Sequence, residues 1–430
     1  MRELKDSGIE WIGDMPSYWV RTTLLNNLRK KISDGPHETP NVLEVGIPFI
    51  SVDSLNDSEH VDLSCVKKFI SEEDYREYSK KTVIEPGDIL FSKAATIGKT
   101  AIVKDEKFMV WSPLAIIKVD GRKCCNKYIY YILNCPGFIR CVSFMGSINT
   151  QINVGMRELE KGPIPVPPLP EQQRIADFLD RKCADIDDVL EKTRASIDEY
   201  KKLKQSVITE AVTKGVRGPR PMKDSGIEWI GLYPEDWTLT KVKWLLNERN
   251  ERSEDGSEEP LSMSQKYGLI PTKDMDTIPN MASSFVGAKI THVGDLVFNK
   301  LKAHLGVFAV SKYEGLVSPD YAVYYKTARA DMRYLEYLFK TPQYILEFRK
   351  RSSGVGAGLT RLYTGDLFAM YSASPSLEEQ QEIAAYLDKK CAEIDSLIAS
   401  KEKFIAKLES YKKSLIYEYV TGKKEVPSNA

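Results

Sequence analysis

The chain has 430 residues, with 61 acidic and 61 basic side chains, 42% hydrophobic and 28% charged residues. That length suits two to four domains, and the composition excludes a disordered or fibrous chain. Formal net charge is zero, so any basic surface for a nucleic acid must be local, and no apolar run approaches the roughly 18 residues a membrane-spanning helix needs.

The start, Met1-Arg2-Glu3-Leu4-Lys5-Asp6, lacks the apolar core of a signal peptide. The seven cysteines are odd in number and form no Cys-x-x-Cys pair. Together these predict a reducing cytoplasm and free thiols.

Lys5-Asp6-Ser7-Gly8-Ile9-Glu10-Trp11-Ile12-Gly13 recurs letter for letter as Lys223-Asp224-Ser225-Gly226-Ile227-Glu228-Trp229-Ile230-Gly231, and Pro16 and Trp19 return as Pro234 and Trp237. An identity of that length marks an internal duplication. In the first copy Ile47–Val52 and Ile84–Phe91 read as a strand and a turn–strand, the latter around Gly87-Asp88. The second copy answers with Val293-Gly294-Asp295-Leu296-Val297-Phe298-Asn299-Lys300. A short helix then carries Tyr128, Tyr131 and Pro136, matched by Tyr334, Tyr337 and Pro342. Each copy is therefore a mixed α/β domain. Between Trp and Gly-Asp the first copy has eleven more residues (Trp19 to Gly87 against Trp237 to Gly294). One frame with two divergent surfaces predicts two different recognition faces.

After Pro163, Pro165, Pro167, Pro168 and Pro170, the chain runs from Glu171 to Lys214 without Gly or Pro. Apolar or small residues recur every three or four positions: Ile175, Leu179, Cys183, Ile186, Leu190, Thr193, Ile197, Tyr200, Leu203, Val207 and Ala211. This predicts an amphipathic helix of about 65 Å. Leu169-Pro170-Glu171-Gln172-Gln173 returns 208 residues later as Leu377-Glu378-Glu379-Gln380-Gln381, and the stripe returns through Ile383, Leu387, Cys391, Ile394, Ile398, Ile405, Leu408, Tyr411, Leu415 and Tyr419. Two such helices predict a coiled coil, with Leu203 and Leu408 in its seam. A two-fold-like duplication makes the pair antiparallel, since exchanging the copies must exchange the helix ends.

The nonapeptide and its repeat, the two Gly-Asp turns, Gly146 through Gln151, and Pro167 through Ala176 make the chain resemble the specificity subunits of type I restriction–modification enzymes. The second copy departs from the frame at Ser374-Pro375-Ser376-Leu377-Glu378, where the first has its double proline. The resemblance implies an α+β architecture: two α/β target-recognition domains related by duplication, joined by two long antiparallel helices forming a coiled coil. The expected division is 1–168 and 216–376 for the recognition domains, 169–215 and 377–421 for the spacer helices. It also implies double-stranded DNA as ligand, read one half-site per domain, with two methyltransferase subunits and restriction–translocase subunits as partners.

The residues themselves offer no catalyst. His37, His60, His292 and His304 are isolated, none at metal-ligand spacing with another His or Cys. Ile97-Gly98-Lys99-Thr100 resembles the end of a phosphate-binding loop, but Lys93 stands where its first Gly belongs. There is no Gly-x-Ser-x-Gly elbow, and no Asn/Asp-Pro-Pro-aromatic run of the kind adenine methyltransferases carry. No cofactor is expected.

Candidate DNA contacts are local. In the first copy they are Lys93, Thr96 and Lys99 after the Gly-Asp strand, then Ser147, Asn149, Gln151 and Asn153. In the second they are Asn299, Lys300, Lys302 and His304, then Arg349, Arg351, Ser352, Thr360 and Arg361. Asn and Gln can pair with adenine, Arg with guanine, and Lys mainly meets phosphate. Singly each also reads as a solvated turn residue; it is their recurrence at equivalent places that points to DNA. Trp11, Trp19, Trp229 and Trp237 lie in the shared frame and read as packing anchors. The alternative from another class is a coiled-coil interaction scaffold without sequence-specific DNA binding. A strongly salt-dependent shift of a specific duplex separates the two.

Overall fold

A computed structural model describes residues 2–38, 40–55, 58–145, 153–265, 267–277, 284–354 and 360–427. The chain divides into two units, Met1–Thr193 with Lys403–Ala430, and Arg194–Glu402.

In the first unit an antiparallel sheet runs in the order Ser33–Asp34, Leu114–Ile117, Ile89–Ser92, Thr100–Ile102. Its central strands are buried at every position, and apolar at all but Ser92, because both faces are covered. Ile89, Phe91, Ala115 and Ile117 face a core with Tyr128, Ile132 and Phe138 from the helices Asn126–Leu133 and Pro136–Met145. Leu90, Leu114 and Ile116 face a second core with Ile50, Phe108 and Val110. This is the alternation of a pleated strand. The strand Ile47–Ile50 pairs with Phe69–Ile70 and Met109–Val110 into a smaller sheet, beside the helix Glu72–Ser79.

The second unit repeats the main sheet in the same order: Leu246–Arg249, Tyr321–Lys326, Leu296–Asn299, Phe308–Val310. Leu296, Phe298, Phe308 and Tyr324 face the helices Met332–Phe339 and Pro342–Arg351, while Val297 and Val323 face Leu261, Leu269 and Val317. A hairpin, Leu261–Ser264 with Gly268–Pro271, and the antiparallel pair Lys289–Thr291 with Gly315–Val317 cover that second face.

The Gly-Asp turn has one explanation in both units. Gly87 (φ 87°) and Gly294 (φ 91°) adopt the left-handed conformation. The Asp behind each is buried and accepts a backbone N–H three residues back, Asp88 from Glu85 (2.8 Å) and Asp295 from His292 (2.9 Å). Each also pairs with an arginine, Arg29 at 3.1 Å and Arg249 at 2.7 Å, so the buried carboxylate is compensated.

The long helices span Leu169–Lys214 and Leu377–Val420. In the first unit the start of one runs against the end of the other, with Phe178 and Tyr419 rings 4.6 Å apart and Asp187 bonded to Lys412 at 2.6 Å. In the second unit the roles reverse, with Lys204 bonded to Asp395 at 2.7 Å and Arg217 to Glu382 at 2.7 Å. In both, rising numbers on one helix meet falling numbers on the other, so the pairing is antiparallel. Asp187 and Asp395, like Lys204 and Lys412, lie 208 apart: one bridge is made twice with the helices exchanged.

The seam differs from expectation at one place per helix. Leu203 is 48% exposed and its counterpart Tyr411 is 54% exposed, while the neighbouring Lys204 and Lys412 are partly buried. Buried and half-buried positions run Ile175, Leu179, Cys183, Ile186, Leu190, Thr193, Ile197, Tyr200, Lys204, Ile208, Ala211. Their spacing follows about 3.6 residues per turn, so the helical face reaches residue 204 where the leucine pattern names 203. Leu408 is partly buried against the first core.

The repeated Glu-Gln-Gln sets each helix on its domain. Gln172 accepts from the Cys125 N–H (2.8 Å) and donates to the Pro167 carbonyl (2.9 Å). Gln380 accepts from Asp331 N–H (2.8 Å) and donates to Pro375 (3.1 Å). Both are buried, and Glu171 and Glu379 beside them pair with Arg2 (2.9 Å) and Arg220 (2.6 Å). The two helices therefore enter in the same way despite the missing double proline.

Candidate nucleic-acid interface

The candidate residues gather where the Gly-Asp strand ends. In the first unit Lys93 follows the strand Ile89–Ser92, held by its N–H to the Pro113 carbonyl (2.8 Å). Its ammonium lies 2.6 Å from Asp34, with the side chains 10% and 11% exposed. Lys93 is thus committed to a carboxylate inside the domain. Thr96 is exposed in the following turn, next to Ala95 at φ 59°. Ser92 Oγ closes that turn by accepting from the Lys99 N–H (2.8 Å), and the Lys99 ammonium donates to the carbonyls of Val52 (3.4 Å) and Leu55 (2.7 Å). Of this triad, Thr96 alone presents an exposed side chain.

Ser147, Asn149 and Gln151 lie outside the described residues. Asn153 is exposed, and the next residue, Val154, donates to the Lys93 carbonyl at 2.9 Å. The end of that polar run is therefore brought to the Lys93 turn. Phe144 and Met145, at the close of the helix Pro136–Met145, are exposed beside it in sequence.

In the second unit Asn299 ends the equivalent strand; its Oδ1 accepts from the Leu301 N–H (3.1 Å) and its Nδ2 donates to the Tyr321 hydroxyl (3.4 Å). Lys302 is exposed, and His304 is half-buried with its Nδ1 shielded from solvent and without a hydrogen-bond partner. The short helical turn Ala303–Leu305 packs against the helix Pro342–Arg351. At that helix's end Arg349 is exposed, while Lys350 (2.9 Å) and Arg351 (3.3 Å) share the Glu347 carboxylate. Ser352 turns its hydroxyl back onto the Phe348 carbonyl, 2.6 Å away. Cations in the last helical turn also suit the helix dipole.

Thr360–Arg361 forms a two-residue strand against Ser353–Gly354, and Leu362 N–H reaches the Lys300 carbonyl at 3.0 Å. Arg361 thereby stands beside Lys300, with its own guanidinium on Asp320 (2.8 Å). Lys300 is half-buried, and burial and the nearby Lys289 hold its pKa below the usual lysine value. The second-copy candidates thus come together around one strand end. Lys289 was missed by sequence reading: it lies in a three-residue strand and is buried against Glu248 (3.3 Å), which no local pattern announces.

Among the described residues no cluster of His, Cys, Asp and Glu is arranged to hold a metal, and no helix is long and apolar enough to cross a membrane. All seven cysteines are free, and burial pushes the Cys124 thiol up to about 12.

Residues 36–199 match the family model of the type I restriction modification DNA specificity domain. The putative type I restriction enzyme MjaX specificity subunit of Methanocaldococcus jannaschii is 26% identical, over 96% of this chain and 95% of its own length. The EcoBI specificity subunit of Escherichia coli is 24% identical over 71% of this chain and 67% of its own. Among solved structures, a chain from a study of assembly and conformational transition of the type I R-M system superposes with a TM-score of 0.71, at 14% identity over 95% of this chain and 99% of that one. The HsdS subunit of Thermoanaerobacter tengcongensis gives 0.51 at 14% identity, over 95% and 98%. The structural likenesses carry the fold, and the sequence matches make the chain similar, over nearly its whole length, to the specificity subunits of type I restriction–modification enzymes.

Proposed function

We propose that the chain is the DNA sequence-recognition subunit of a type I restriction–modification complex, reading a split asymmetric site with one half-site per domain. The observation that carries this is the duplicated sheet whose strand ends hold different side chains on the same frame. Lys93 and Lys300 occupy the same place, yet one is neutralised and the other is not. Residues 1–168 and 216–376 are the readers; 169–215 and 377–421 are the spacer. The chain itself carries no catalytic step and works in the cytoplasm, where its methyltransferase and restriction partners act.

Two methyltransferase subunits dock on the chain in this reading. Support comes from apolar residues left outside the helical seam, which recur at the 208-residue interval. Val189 and Tyr411 are exposed in the first unit, Leu397 and Leu203 in the second. A face made twice suits two copies of one partner, and restriction–translocase subunits then join them. Mapping methylated bases in the source organism with and without the gene tests the proposal. Loss of one bipartite methylated motif is expected, and an unchanged methylome would overturn it.

A further inference from the structure

The residue that follows the Gly-Asp strand is a lysine in both units, and its electrostatic situation differs completely. Lys93 has a carboxylate at 2.6 Å, its N–H on Pro113, and its carbonyl taken by Val154. The first unit has therefore satisfied that lysine internally. Lys300 forms no ion pair or side-chain hydrogen bond among the described residues. Its charged neighbours are Lys289, Glu248, Arg361 and Asp320. Lys289 is already bonded to Glu248 at 3.3 Å, and Arg361 to Asp320 at 2.8 Å. Three cations thus share two carboxylates, both engaged, and Lys300 is left over.

A second deficit lies beside it. The Arg361 Nε–H is shielded from solvent and has no acceptor. A half-buried ammonium next to two other cations is unfavourable without an anion. The carboxylate that relieves Lys93 has no counterpart here: Arg249 takes the register place of Ser33, so Asn250 follows where the first unit has Asp34. Asn299 and Lys302 beside it on the chain, and Arg361 beside it in space, are the very residues gathered at the strand end.

We infer that Lys300 is the anion subsite of the second unit and takes one phosphate of the DNA backbone. This rests on the DNA-recognition reading above and adds a division of labour to it. The second domain supplies the electrostatic grip at this frame position, whereas in the first domain the same lysine is structural. A phosphate, rather than a base edge, fits because Glu248 and Asp320 already hold Lys289 and Arg361, so what is left over at Lys300 is positive charge and not an alternation of donor and acceptor. Lysine also meets phosphate as a point charge without needing the geometry of a paired contact.

The test uses the full chain assembled with its methyltransferase subunits and a duplex carrying its own methylated motif. Each phosphate neutralised contributes about 0.9 to the slope of log affinity against log salt. The Lys300→Gln complex should therefore lose about three- to fourfold less affinity than wild type between roughly 50 and 200 mM salt, with the same motif preferred. Lys300→Arg should restore the wild-type slope, and Lys300→Met replaces Lys300→Gln if melting shows the latter misfolded. A wild-type slope in the neutral variants, with specific binding intact, overturns the phosphate contact alone. A changed motif with an unchanged slope overturns it in favour of base reading. A wild-type complex with no preference for any duplex overturns this inference together with the reading beneath it.

Discussion

The nine-residue segment that is identical in the two units is packed differently in each. In the first, Trp11 is 8% exposed, donates from Nε1 to the Pro163 carbonyl (3.2 Å) and stands edge-on to Phe138 at 5.9 Å. It fits because Gly137 is beneath it: a Cβ there would come within 3.0 Å of the indole. In the second unit Gln343 occupies that helix position and Tyr344 the next. The Tyr344 hydroxyl takes the Tyr371 carbonyl (3.0 Å), the counterpart of Pro163, and Trp229 is left half-exposed over a small cleft with Gln343, Leu232 and Thr341. Identity of sequence does not guarantee identity of burial; the opposing helix decides. The same lesson holds for Lys93 and Lys300, where a carboxylate contributed from a distant strand turns one into a core residue.

The largest break in this comparison should come from exchanging residues 238–370 for the equivalent region of a relative. Methylome mapping should show one half of the recognised motif replaced and the other kept; a change in both halves would mean the units do not read separately. Next in size is Lys93→Met, which strands Asp34 without its partner and should cost about 3 kcal/mol in denaturant unfolding. Lys300→Met, by contrast, removes an uncompensated cation and should stay within about 1 kcal/mol of the parent. Equal losses would contradict the asymmetry. Gly137→Gln should push Trp11 from its seat at a cost of about 1–3 kcal/mol, with a red-shifted indole emission. No shift in emission would show that glycine is not what seats it. The smallest effect concerns the spacer: Leu203→Ala should change stability by no more than about 0.5 kcal/mol, against about 2–4 kcal/mol for the buried Ile208→Ala.

Those last two residues mark where sequence reasoning reached its limit. The long helices were legible because a stripe, an absence of Gly and Pro, and a gapless repeat all agree. Their antiparallel sense followed from the duplication alone. The seam was misplaced at Leu203 and Tyr411 because an apolar residue sits beside a lysine, and hydrophobicity favours the wrong one of the two. Lys204 and Lys412 turn inward because their long stems cover the seam while their ammonium groups reach Asp395 and Asp187. Within the first unit, Asp34 and Lys93 are 59 residues apart, and nothing local joins them. The gathering of Lys300, Arg361 and the Arg349 helix end depended on the duplication, which places corresponding loops at the same strand end in each sheet. Lys289 had no such cue.

Each unit is closed by the tail of the other repeat's helix, and this bears on how the chain is made. The first unit takes Lys403–Ala430 as part of its body, and the Tyr128 hydroxyl at its centre donates to the Val420 carbonyl at 3.0 Å. A ribosome that has finished residue 193 has still to synthesise about 230 more before that helix end exists, a wait on the order of 10–45 s at common elongation rates. During that interval Phe178 lacks the Tyr419 ring that packs on it, and the stripe beyond it lacks the late part of its core. The domain whose residues come first is thus completed last, and the nascent subunit passes through a stage in which its own apolar stripe is the surface most in need of a chaperone.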